Sequence, residues 1–176
     1  DKMNKKKVLF VGDSHGRYVF HQVAQIYYNT TEGKDGCYEP NTTVYNDPGS
    51  PFQRFTYDRL QLSRQWLLNH NESASLDHDF IILSMGHWDA GYPRGYPTPP
   101  FRYITGVFRV LQRLREMSPE TTKIYVTTVN QHPLGRKMLL CNDWRVPPLI
   151  DAYNKRLYGL LAQPQQQQQQ QHTNGL

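Results

Sequence analysis

At 176 residues the chain has the length of one ordinary domain and enough material to bury a core, which excludes two independent large domains. Hydrophobic residues make up 38%, and with glycine the apolar share reaches about 45%, ordinary for a globular domain and too high for wholesale disorder. Apolar runs such as Val8 to Val11 and Phe80 to Leu83 fall far short of the roughly 18 residues that a membrane-spanning helix needs. Lysine and arginine number 20 against 15 acidic residues, a net charge of +5. Lys2, Lys5, Lys6 and Lys7 stand together ahead of the first apolar run and the other cations are scattered, so we read a solvated basic start and expect no nucleic-acid partner.

The elements alternate along the chain. Lys7 to Gly12 predicts a buried strand running into a Gly-Asp-Ser turn. From about Arg17 to Tyr28 the apolar residues Val19, Phe20, Val23, Ile26 and Tyr27 recur at helical spacing. A polar stretch to about Phe52, with a short strand pattern at Thr43 to Tyr45, is long enough to be a functional rim or an insertion. Phe55 to His70 predicts a helix through Leu60, Leu62, Trp66, Leu67 and Leu68, and Phe80 to Met85 a strand covered on both faces. After a proline-rich loop from Tyr92 to Pro100, an amphipathic helix carries Ile104, Val107, Phe108, Leu111 and Leu114. Lys123 to Val129 predicts a third strong strand, and Pro147 opens a last helix that runs to about Leu161. Residues 1–162 therefore form one α/β domain, and the Gln-rich tail, 163–176, is expected to be disordered. The pattern predicts a parallel central sheet with helices on both faces, a three-layer α/β/α sandwich.

Cys37 and Cys141 are too few for a disulfide scaffold, though they allow one bridge. Three glycosylation sequons, at Asn29, Asn41 and Asn71, join the even cysteine count in pointing to the secretory pathway, in the Golgi lumen or outside the cell. The chain opens on Asp1 without Met and without a signal peptide, so we expect a fragment of a longer protein.

In an open parallel sheet, ligands bind beyond the carboxyl ends of the strands. Three polar segments fall there: Gly12-Asp13-Ser14-His15, Gly86-His87-Trp88-Asp89 and Asn130-Gln131-His132-Pro133. A serine at such a turn presents a nucleophile beside helix-start amides that can hold an oxyanion. The same Asp13 or Ser14 could serve only as a helix cap.

Gly12-Asp13-Ser14 after the first strand, together with Gly86-x-x-Asp89 after a later one, resembles the SGNH (GDSL-type) hydrolases. Gly12 to Arg17 is similar to the start of the PC-esterase branch, and Gly86-His87-Trp88 to the GHW of the plant trichome-birefringence-like wall O-acetyltransferases. The resemblance implies an SGNH-like fold and a serine-dependent O-acyl esterase or acyltransferase acting on a carbohydrate or another acylated small substrate. It makes Ser14 the nucleophile, with its own amide as one oxyanion donor, and Gly49 the second oxyanion glycine, where a plain turn reads equally well. Trp88 stands where SGNH enzymes generally carry Asn; it either donates its N–H or shapes the pocket. Arg17 either aids anion stabilisation or is a surface helix residue, and His87 and Asp89 line the pocket.

The family's base is a His in a late Asp-x-x-His, and no Asp in this sequence is followed three residues later by His. We expect that motif beyond Leu176, which would leave this chain inactive by itself. The rival expectation is a non-catalytic SGNH-like module that binds glycans or protein. His15, His21 and His87 read as pocket or surface histidines, and His132 as the best internal substitute. No metal or other cofactor is expected, because the sequence has neither paired metal-ligand spacings nor the Walker lysine of a phosphate loop.

Overall fold

The computed structural model describes residues 5–28, 42–45, 52–60, 63–70, 75–91, 96–129 and 145–162. Their elements run β1 (Lys6–Gly12), α1 (Ser14–Tyr28), β2 (Thr42–Tyr45), β3 (Phe52–Arg59), α2 (Ser63–Asn69), β4 (Phe80–Ser84), α3 (His87–Ala90), α4 (Pro100–Met117), β5 (Lys123–Val126) and α5 (Pro147–Ala162). The protein is a mixed α/β fold. Its sheet has the order β2-β3-β1-β4-β5, in which β3, β1, β4 and β5 run parallel and β2 joins the β3 edge antiparallel.

Register follows from the alternation of side chains along each strand. Val8 lies opposite Phe80 and Gly12 opposite Ser84, so β1 and β4 end level with each other. Leu9, Val11, Ile81 and Leu83 enter one apolar cluster with Tyr103, Val107, Val110 and Leu114 of α4 and Ile150, Tyr153 and Leu157 of α5. Their neighbours Val8 and Phe10 enter another, with Phe20 and Ala24 of α1 and Tyr57 of β3. Helix α4 turns Tyr103, Gly106, Val107, Val110, Leu114 and Met117 inward at spacings of three and four.

Asp79 locks the start of the β1–β4 pair. Its carboxylate accepts the Lys7 amide at 2.8 Å and the Lys6 ammonium at 3.2 Å, while its own amide reaches the Lys7 carbonyl at 2.9 Å. The Lys7 amide, ahead of the Lys6 side chain, holds the Asp79 carboxyl below its ordinary pKa.

One predicted element changes type. The helix expected from Phe55 to His70 begins only at Ser63, and the preceding stretch is strand β3, paired with β1 from Lys6↔Phe52 to Gly12↔Arg59. Most of the helical periodicity came from residues after Arg59. Phe52, Phe55, Thr56 and Tyr57 suit a pleated surface, and pairing with β1 decides the matter. The other limits differ slightly: α1 starts at Ser14 and β5 ends at Val126.

Candidate active site

Strand β1 delivers its last residue, Gly12, into a turn held from three sides. The Leu60 amide donates to the Gly12 carbonyl at 2.6 Å, the Tyr57 hydroxyl donates to the same oxygen at 2.8 Å, and the Asp13 amide donates to Ser84 at the end of β4 at 3.1 Å. Ser14 is the first residue of α1, at the helix end whose amides and dipole favour an anion. The amides of that first turn begin with Ser14 itself.

Asp13 is the centre of this end of the sheet. One carboxylate oxygen accepts the Gly16 amide at 3.4 Å, as an N-cap does, and the other accepts the His87 amide at 3.2 Å and contacts His87 Nδ1 at 3.1 Å. Side-chain exposure is 0% for Asp13 and 3% for His87, so the pair is desolvated. A carboxylate beside Nδ1 assigns a hydrogen to that nitrogen and fixes the ring's orientation. Two turns that are 74 residues apart in sequence are thereby joined.

Behind His87 the packing is tight. Gly86 caps α3 at φ 121°, and a methyl group there would meet Val129 Cγ2 at 2.5 Å and Tyr103 Cε2 at 3.0 Å. Tyr103 stacks on Tyr153 with centroids 4.2 Å apart and donates to the Met85 carbonyl at 3.3 Å. The Asp89 carbonyl accepts the Thr98 amide at 2.7 Å and the Tyr153 hydroxyl at 3.1 Å, and Tyr153 also donates to the Thr98 carbonyl. Asp89 is buried, and its backbone anchors the loop that leads into α4.

Burial, and then the nearby Asp89, pushes the Tyr103 phenol well above its ordinary value of 10.0. The folded state therefore keeps a proton that the unfolded chain begins to release near that pH. The contribution to stability is complete below it and is lost as pH rises towards the folded value. Urea unfolding at about pH 9 and about pH 11 should show an alkaline loss that Tyr103→Phe reduces by about 1.4 kcal/mol, one pH unit's worth of linkage. An identical alkaline limb in the variant would contradict the assignment.

The structure thus brings together Gly86, His87, Asp89 and the turn that carries Ser14. His87 is buried and clamped by Asp13. Trp88 is half-buried in α3, and Arg17 lies in the first turn of α1, where its amide donates to the Asp13 carbonyl at 3.0 Å. Tyr96 is exposed. Gly49, His132, Cys37, Cys141, Tyr92, the sequon asparagines and the Gln-rich tail lie outside the described residues. Among the described residues, no group of three or more His, Cys, Asp or Glu side chains could hold a metal ion, and no helix is long and apolar enough to cross a membrane.

Sequence reasoning missed Asp13 as a clamp and missed a second pair, His70 with Asp58. His70 Nε2 lies 3.1 Å from Asp58, which also accepts the Trp66 indole N–H at 2.9 Å, and His70 Nδ1 lies 2.9 Å from the Trp66 carbonyl. These contacts tie the end of α2 to β3. The four-residue spacing of Trp66 and His70 was the visible signal, while Asp58 lay hidden in the misread strand. No family model matches the chain, no curated protein is significantly similar to it, and no solved structure matches it.

Proposed function

We propose that this chain is a serine-dependent O-acyl esterase or acyltransferase domain of the secretory pathway, built as an SGNH-like α/β/α sandwich and acting on a hydroxylated, carbohydrate-type substrate. The observation that carries the reading is the Asp13–His87 clamp, which brings the Gly-Asp-Ser turn and the Gly-His-Trp-Asp turn to one end of the sheet. The two apolar clusters, with α1 in one and α4 and α5 in the other, support the layered fold.

In this mechanism the Ser14 hydroxyl oxygen bonds to the ester carbonyl carbon while its proton passes to a base. Negative charge on the carbonyl oxygen is met by the Ser14 amide at the start of α1. Collapse expels the alcohol, which takes up the proton. Water or a sugar hydroxyl then attacks the acyl-serine, giving hydrolysis or transfer from the same intermediate.

A second reading is favoured by the burial of His87. A ring 3% exposed and already engaged by Asp13 is not free to serve as a base, which suits a module that binds an acylated glycan or a protein without turnover. A fluorophosphonate probe applied to the full-length protein separates the two. Covalent labelling that is abolished by Ser14→Ala supports the enzyme, whereas labelling that survives this substitution removes Ser14 as nucleophile. Calorimetric binding of an acetylated oligosaccharide without any labelling supports the module.

A further inference from the structure

Helices α2 and α4 follow β3 and β4, so both start at the carboxyl end of the sheet. Where they meet, Gly106 lets them approach so closely that a methyl group there would stand 2.5 Å from the Ser63 hydroxyl. Beside this crossing lies an open groove of about 540 Å³, lined by Leu67, Leu68 and Phe101 together with Arg64, Arg102 and Arg109. Leu68 and Phe101 are 63% and 56% exposed, an apolar strip that water covers poorly.

The charge on this groove is one-sided. Among the described residues its lining holds three guanidinium groups and no carboxylate, and none of the three is in an ion pair. Farther along α4 the arginines are engaged: Arg113 pairs with Glu116 at 3.3 Å and Arg115 donates to the Thr122 carbonyl at 2.7 Å. Arg102 and Arg109 are seven residues apart and thus about 10 Å along the helix, with Arg64 facing them from α2.

We propose that the α2–α4 groove is a docking site for an acidic peptide segment whose aliphatic side chains lie on Leu67, Leu68 and Phe101 while its carboxylates engage Arg64, Arg102 and Arg109. Arginine is the side chain best suited to this task, because its planar fork binds a carboxylate bidentately. A lining that includes leucine and phenylalanine favours a peptide with apolar side chains over a wholly polar anion. The inference is independent of the Ser14 chemistry.

The test uses the whole chain and a fluorescein-labelled peptide of alternating glutamates and leucines, read by fluorescence polarisation. Binding should weaken with added salt. It should fall about tenfold or more in the double variant Arg102→Glu/Arg109→Glu and also weaken in Leu68→Ser. All three positions are on the surface, and circular dichroism checks that both variants fold. Equal binding of a glutamine–leucine peptide would overturn the proposal. So would an unchanged affinity in the folded double variant, or binding of an acidic oligosaccharide in place of the peptide.

Discussion

Gly86→Ala is expected to remove a large part of the fold's stability. Two costs coincide at this position. The backbone sits at φ 121°, a conformation L residues rarely adopt, and holding alanine there costs about 1–3 kcal/mol. The new methyl group would also stand 2.5 Å from Val129 Cγ2 and 3.0 Å from Tyr103 Cε2, in the packed layer between the sheet and α4. Overpacking of that kind costs about another 1–3 kcal/mol. Ordinary domains hold only about 5–15 kcal/mol, so the sum of about 2–6 decides whether the chain folds at all. Gly159 provides the control, since it is exposed on α5 and a methyl group there meets nothing within 4 Å. Gly159→Ala should be neutral or stabilise by about 0.5–1 kcal/mol through helix propensity. Denaturant unfolding of the two variants side by side measures both, and equal midpoints would mean that the Gly86 turn relaxes freely.

Asp13→Ala should cost about 1–3 kcal/mol for each buried donor that it leaves without an acceptor. The loss exceeds one hydrogen bond because the carboxylate serves the Gly16 amide, the His87 amide and His87 Nδ1 together. Asp13→Asn keeps the shape and one accepting oxygen but turns an N–H₂ group toward donors, so about 2 kcal/mol is expected. The consequence for the site should exceed that for the fold. Without the clamp the two turns lose their mutual position, and any Ser14-dependent probe labelling should fall by orders of magnitude in Asp13→Asn even where circular dichroism is native. Labelling at the native rate in that variant would show that the clamp only stabilises.

Strands β1 and β4 could be read from the sequence because each is a short apolar run ending at glycine or serine and glycine, buried on both faces. Helix α4 was legible as an element, but its inward face is rotated from the expected one: Val107 and Leu114 are buried as read, whereas Phe108 is exposed and Tyr103, Val110 and Met117 turn inward. Strand β3 was not, because its conformation depends on β1, a partner distant in the chain, while the residues just after it advertise a helix. The candidate site divides in the same way. Its two turn motifs are contiguous and could be read locally. The bond that joins them crosses from Asp13 to His87, and Asp13 in isolation looks like the helix cap that it also is.

The central place of β1 has a consequence for synthesis. Its two neighbours begin only at Phe52 and Phe80, so a strand made early stays open along one edge until β3 and along the other until β4 has been translated, several seconds later at about 5–20 residues per second. Once β3 has been made one edge is covered, but until β4 follows Val8 to Val11 remains an uncharged apolar ribbon with unsatisfied backbone groups along the other edge, the kind of segment that recruits other nascent chains. Lys5, Lys6 and Lys7 directly before it provide the repulsion that such a ribbon needs. The basic start thus acts as a gatekeeper for a strand that must wait for its partners, and neutralising those lysines should lower the yield of soluble chain more than it lowers the stability of the finished fold.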